Sequence, residues 1–262
     1  MRVACSVVLA VVLLVALGGQ AEAEPLSKLI NKADMVLRGV SSAGVFTMEI
    51  KTQSYQRSFK IVMWDDSTDP VKERSLIKIL GPALWRGNGT LKVGDQLKIY
   101  NPRTNHVAVV SNSMLGDSWM GSHFTNDDLV KETRLARHYR HKLLKKWSGR
   151  NEKGESVTFY RVRLTPKPTA PVAWGKIVYE LWARGDVVVP TQATYYRKPE
   201  SQRADRTMTF SRVDRLGGRE IPARMSMTVA KKPGEHTSIT YKTIKFGIKI
   251  PSSKFTEQAL RH

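Results

Sequence analysis

The residues with the greatest capacity for chemistry gather between Gly121 and His141. His123, Asp127 and Asp128, with His138 and His141 close behind, are imidazoles and carboxylates of the kind that hold zinc. Their spacing contains no His-x-x-x-His pair, and Asp127-Asp128 already have another explanation. They follow Thr125-Asn126 in the order of a helix start, capping oxygens first and then carboxylates at the positive end of the helix dipole. Met120-Gly121-Ser122-His123 lacks the second glycine of a Gly-x-Ser-x-Gly nucleophile elbow. Arg86-Gly87-Asn88-Gly89-Thr90 has no lysine where a phosphate-cradling loop requires one and precedes a strand. Arg184-Gly185-Asp186 reads as a hairpin turn before Val187-Val188-Val189-Pro190, and Asn88-Gly89-Thr90 is a formal glycosylation site without further support. No constellation reaches the level of an enzyme, and no metal or other cofactor is implied.

The same stretch is unusual in another way. Trp119, Met120 and Phe124 stand on a connection between strand-like segments, where side chains of that size must be buried or form a patch that needs a partner. Gly116 and Gly121 flank them as hinges. The arrangement predicts a mobile apolar lid, with Trp174 close enough to help line whatever it covers.

The elements that must carry this connection are strands. Phe46, Met48 and Ile50 alternate with Thr47 and Glu49, and Phe59, Ile61 and Met63 with Lys60 and Val62. Met208 and Phe210 alternate with Thr207 and Thr209, and Met225, Met227 and Val229 with Ser226 and Thr228. Period-two alternation turns one set to the core and the other to solvent. Turn signals recur at short intervals: Asp65-Asp66, Gly81-Pro82, Gly94-Asp95, Asn101-Pro102, Gly149, Lys153-Gly154, Gly185-Asp186, Gly217-Gly218 and Pro233-Gly234. This is the pattern of an antiparallel meander. Leu26, Leu29, Ile30, Ala33 and Leu37 recur at helical spacing instead, so residues 25–38 predict an amphipathic helix whose stripe lies on the concave face of the sheet. Five of the nine methionines, Met48, Met63, Met208, Met225 and Met227, fall on inward strand positions. Methionine adapts to ligands of variable shape but equally fills an irregular core, and both readings stand at this point.

Charge narrows the partners. The chain has 43 Lys and Arg against 23 Asp and Glu, a net charge of +20. The basic residues concentrate at Arg134, Arg137, Arg140, Lys142, Lys145, Lys146 and Arg150. Such a field favours transient contact with an anionic membrane surface, or serves only solubility. No nucleic-acid recognition motif accompanies it.

The amino terminus points to export. Met1-Arg2 is basic, Val3 to Leu17 is apolar, and Ala21-Glu22-Ala23 offers a cleavage site, so residues 1–23 are expected to be a signal peptide. The apolar run is shorter than the roughly 20 residues of a spanning helix. Cys5, the only cysteine, lies inside it, which leaves the mature chain without a disulfide or a lipid-modified cysteine. Residues 24–262 have no linker, low-complexity tract or obvious repeat and are expected to form a single domain, a monomer located in the periplasm.

One family resemblance brings these readings together. The run from Ser118 to Leu129, with Tyr100-Asn101-Pro102-Arg103, Leu164-Thr165-Pro166-Lys167-Pro168 and Val172-Ala173-Trp174-Gly175-Lys176, resembles the outer-membrane lipoprotein-sorting proteins of bacteria. These are relatives of the periplasmic lipoprotein carrier and its outer-membrane receptor, and the resemblance runs from about residue 37 to 260. It implies a mainly β fold: a single strongly curved antiparallel sheet, an unclosed β-barrel, with helices plugging an apolar cavity. It implies a periplasmic binding or carrier protein for lipids or lipoprotein acyl chains, working with an envelope transporter. Trp119, Met120, Phe124, Trp174, Met48, Met63, Met208, Phe210, Met225 and Met227 would then belong to the cavity or its lid. The alternative is a non-enzymatic accessory or assembly protein of an envelope exporter, with the same fold and a filled core.

Overall fold

Among the described residues thirteen strands pair into one antiparallel sheet, most of them with alternating sequence. A computed structural model describes residues 20–69, 71–131, 135–168, 170 and 172–262. The expected leader up to residue 19, with Cys5, and the expected surface residue Arg134 lie outside the described residues. Helix α1 (Gln20–Met35) leads into β1 (Ser41–Lys51), β2 (Gln56–Asp66), β3 (Arg74–Gly81), β4 (Gly89–Val93), β5 (Gln96–Asn101) and β6 (His106–Val109). A crossing segment, residues 110–138, follows and includes α2 (Asn126–Lys131) and α3 (Leu135–His138). The chain continues through β7 (Tyr139–Arg150), β8 (Ser156–Pro166), β9 (Lys176–Arg184), β10 (Val187–Tyr196), β11 (Arg206–Leu216), β12 (Arg219–Val229) and β13 (His236–Phe246), then α4 (Glu257–Arg261).

The sheet order is β6-β5-β4-β3-β2-β1-β13-β12-β11-β10-β9-β8-β7. Two meanders are therefore joined edge to edge by the β1–β13 pair, and the outer edges β6 and β7 do not pair with each other. Register places the expected inward residues side by side: Phe46 opposite Ile61 and Tyr241, Met48 opposite Phe59 and Ile239, Met208 opposite Met227, Phe210 opposite Met225. Two apolar clusters along this face meet at Met225 and Ile239. Bulges in the β1–β13, β2–β3, β9–β10 and β7–β8 pairings strengthen the local twist and help the sheet to curl.

Helix α1 packs against β10, β7 and α3, setting Ile30 and Ala33 into the inner cluster. It starts earlier than the apolar spacing predicts and stops at Met35, where the Gly39 N–H reaches the Met35 carbonyl at 2.8 Å with φ +60°. Leu37, past the helix end, still packs on the second cluster.

Two turn expectations are corrected. Gly149 lies inside β7, and the turn comes after Arg150. A Cβ there would stand 2.9 Å from the Phe159 ring, which stacks on Trp147 at 5.3 Å, so the glycine makes room on a paired strand rather than bending the chain. Asp65-Asp66 close strand β2. Asp66 is held there by Arg74 and Thr68, and Asp65 continues the inward series of Phe59, Ile61 and Met63.

The opposite face of β2–β5 is covered as well. Leu76, Leu91 and Tyr100 form a third cluster with Phe255 and Leu260 of the carboxy-terminal segment, with Trp64 against it. Thr256 caps α4 by accepting from the Ala259 N–H, and the Lys78 ammonium donates to the Leu260 carbonyl at 2.7 Å. Leu260 is fully buried. Leu260→Ala should therefore cost about 2–5 kcal/mol, read as a lower urea midpoint with an unchanged slope. A loss below about 0.5 kcal/mol would mean that α4 does not seal this face.

Candidate functional site

The crossing segment is tied to the sheet by side chains from several elements. Thr125 opens α2: its hydroxyl accepts from the Asp128 N–H at 3.3 Å, and the Asp128 carboxylate accepts from the Thr125 N–H at 2.8 Å. This is the reciprocal cap that its sequence order predicts. Asp128 also receives two hydrogen bonds of 2.6 Å from Arg206 on β11, and the two side chains are only 5% and 4% exposed. The Arg206 guanidinium lies 4.4 Å from the Trp174 ring centre and 4.6 Å from that of Tyr195. Further along, the Trp119 indole N–H donates to Thr90 on β4 at 3.1 Å. The Tyr55 hydroxyl donates to the Gly121 carbonyl at 2.7 Å. The His123 N–H donates to the Thr237 hydroxyl at 3.0 Å.

Three of the five metal candidates, His123, Asp128 and His141, are engaged by protein groups. His123 Nδ1 and Nε2 face Thr237 at 2.8 Å and Glu235 at 3.3 Å, and burial pulls the imidazole below its usual range. Asp128 is bound to Arg206, and His141 Nε2 meets the Leu135 carbonyl at 3.3 Å. Among the described residues no three His, Cys, Asp or Glu side chains converge as metal ligands.

Under the crossing segment lies a cavity of about 250 Å³. One water occupies roughly 10–15 Å³ on the same measure, so this is well beyond a packing defect. Its walls come from α1, from β1 to β5, from β9 to β13 and from the crossing segment. Strands that far apart in the sheet can share one cavity only if the sheet curls around it. Of the expected residues, Trp119, Phe124, Met63, Met208, Phe210 and Met225 line it. Met48 and Met227 are fully buried in the adjoining clusters instead. Met120 packs against the cluster around Trp119, on a left-handed backbone at φ 55° beside Gly121 at φ 72°. Trp174 lies behind Arg206, its ring 5.3 Å from Tyr195.

One end of the cavity is polar, which the sequence reading missed. Asp34 and Arg38 from α1 and the turn after it, Asp65 from β2, Glu73, and Lys92 from β4 all line it. Lys92 Nζ approaches Glu73 at 3.4 Å. Burial pushes the Asp34 carboxyl up to about 6, against the pull of the Arg38 guanidinium and of the Leu135 N–H, which donates to it at 3.1 Å. Burial likewise raises Asp65 and lowers Lys92. The available signal was parity: Asp65 falls on the inward register of Ile61 and Met63.

The basic residues lie elsewhere. Arg137 is exposed on α3, and Arg140, Lys142, Lys145, Lys146 and Arg150 are exposed along β7. That strand is an edge of the sheet, and lysines on an edge also prevent pairing with another chain.

A family model described as "Uncharacterized protein" matches residues 71–262. The chain belongs to that family. No curated protein matches the sequence. Among solved structures, a DUF1329 family protein from Desulfovibrio piger superposes with a TM-score of 0.76 at 22% identity, over 91% of this chain and 98% of that one. A domain assigned to the outer membrane lipoprotein-sorting proteins, from Vibrio parahaemolyticus, gives 0.72 at 18% identity, over 92% and 100%. A LolA superfamily protein from Nitrosomonas europaea gives 0.66 at 22% identity, over 88% and 97%. The family resemblance read in the sequence is thus met in the fold: this member has the architecture of lipoprotein-sorting and LolA superfamily proteins.

Asp34 gives a test of the polar end. The folded chain holds its proton more tightly than an unfolded chain, whose carboxyl stays near 3.8. Its contribution to stability is therefore complete below about pH 4 and is lost as pH rises through about 6. The melting temperature of Asp34→Asn relative to the parent chain should rise between pH 4 and pH 7.5. A difference that stays flat across that range would contradict a raised carboxyl.

Proposed function

We propose that this protein binds and carries lipids or the acyl chains of lipoproteins in the cell envelope, as a monomeric single domain in the periplasm, without covalent chemistry. The observation that carries this reading is the cavity, walled by both meanders and closed over by the crossing segment. Burial of each methylene stabilises a bound chain by about 0.8 kcal/mol, so one hydrocarbon chain provides ample affinity. A cavity of about 250 Å³ favours a carrier over an accessory or assembly protein with a filled core. Helix α1 and the segment from Ser118 to Phe124 act in this reading as the plug. Opening it breaks the bonds from Tyr55, Trp119 and His123, each worth about 0.5–1.5 kcal/mol net, so the closed form predominates and loading is gated. The name of the Vibrio parahaemolyticus relative supports lipoprotein sorting as the setting.

Filling the cavity tests the reading. Met208→Trp and Met225→Trp should reduce uptake of a pyrene-labelled alkyl chain at least tenfold while the protein still melts cooperatively. Native mass spectrometry of protein purified without delipidation should show a bound lipid on the parent chain and none on the variants. Equal uptake by all three proteins would overturn the assignment of the cavity.

The basic edge completes the proposal as a contact with anionic membrane. Each basic side chain near such a surface contributes about 1 kcal/mol and is screened by salt. Charge reversal at Arg137, Arg140, Lys145 and Lys146 should weaken binding to phosphatidylglycerol liposomes and flatten its salt dependence. Unchanged binding would leave the charge to solubility and edge protection.

A further inference from the structure

Ser42, Asp65, Ser75 and Lys92 lie opposite one another on β1, β2, β3 and β4, in one row across the inner face. The neighbouring row, Gly44, Met63, Ile77 and Thr90, carries no charged group. Asp65 is 9% exposed and Ser42 1%, yet Asp65 Oδ2 and Ser42 Oγ each lack a hydrogen-bond partner. A buried polar atom left in that state costs about 1–3 kcal/mol, and beside a cavity it is satisfied by water or by a ligand that displaces the water. Asp65 lines the cavity at its polar end.

From this juxtaposition we propose that the cavity takes an amphiphile whose head group donates a hydrogen bond, a hydroxyl- or ammonium-ended hydrocarbon, and that Asp65 receives the head. The proposal rests on the carrier reading and names its ligand class. The polarity of the walls agrees with it. Away from the polar end, the walls are apolar side chains such as Phe46, Met63, Ile77, Trp119, Met225 and Ile239. At the polar end the carboxylates of Asp34, Asp65 and Glu73 face the cations Arg38 and Lys92, while Arg74 is engaged by Asp66. With every group ionised, negative charge is in excess there. A carboxylate or phosphate head would add to it in a medium of low polarity, where like charges repel strongly. A hydroxyl gives Asp65 Oδ2 a donor beyond the one that Ser75 supplies to the carboxyl, and an ammonium also cancels the excess. Burial raises the Asp65 carboxyl against the pull of Ser75, Arg38 and Lys92, and a hydrogen-bond donor or a cation placed at Asp65 would favour its ionised form.

Pyrene-labelled chains of one length, ending in alcohol, amine or carboxylic acid, are titrated against the protein at pH 7.5. Alcohol and amine are expected to bind at least tenfold more tightly than the acid. An amine tighter than the alcohol assigns the charge to the recognition, and equal binding assigns the hydrogen bond alone; either supports the proposal. Asp65→Leu should abolish the preference while chain binding persists. Asp65→Asn, which keeps the shape and an acceptor oxygen, should spare the alcohol and remove any advantage of the amine; it decides the matter if the leucine variant does not fold. Equal binding of all three chains by the parent protein, or a preference that survives both substitutions, would overturn the head-group assignment and leave the carrier reading intact. Binding of none of them would overturn both.

Discussion

A sheet left open between β6 and β7 needs a strap to hold its two halves around a common space, and the strap here is fastened by one buried ion pair. Asp128 is engaged twice, by the cap of its own helix and by both terminal nitrogens of Arg206. Arg206 in turn lies against Trp174 and Tyr195, whose rings supply packing as well as charge attraction. Removing one partner of such a pair leaves the other buried without compensation, at about 3–5 kcal/mol. The crossing segment then loses its anchor on β11, beside the cavity that Asp128 helps to line. The ties at Thr90, Tyr55 and Thr237 are neutral hydrogen bonds, and two more reach carboxylates, His123 facing Glu235 at 3.3 Å and the Leu135 N–H donating to Asp34 at 3.1 Å.

The inner face was legible because alternation is a local property. Phe46, Met48, Phe59, Ile61, Met208, Phe210, Met225 and Met227 all face inward, and register then assembled them without further information. The helix start at Thr125 was legible for the same reason. What escaped was what depends on distant partners. Arg206 reads as one more basic residue in a chain with an excess of them, and only the fold brings Asp128 to it. Asp65 resembles a turn residue because carboxylates often end strands, but its parity places it inward. The outer cluster around Leu76 and Leu91 breaks the alternation in β3 and β4, since both faces are covered there, one by the cavity side and the other by the carboxy-terminal segment. The sequence signal for the cavity itself, methionines on inward positions, divided between lining and packing: Met63, Met208 and Met225 line it, Met48 and Met227 do not.

The two free edges are protected differently. Strand β6 is short, four residues, and offers little backbone to a neighbour. Strand β7 is long and carries its lysines and arginines along the exposed positions, with a bulge after Leu143 that distorts the ladder. Both devices keep an open sheet from pairing with its copies, so part of the large positive charge has a role in the fold whatever surface it meets.

The β1–β13 seam has a kinetic side. Every other neighbouring pair in the sheet joins strands that follow one another in the chain, whereas this pair joins strands from opposite ends of the described residues. The two meanders can form early from local contacts, but the seam must wait for a long loop to close, with its larger loss of chain entropy. Until that happens each meander exposes half of the apolar inner face and an unpaired central strand. The cavity walls come from both sides of the seam, so a half-folded chain has no cavity. The cavity is completed only when the seam closes, and until then the exposed central strands are open to pairing with a second copy of the chain.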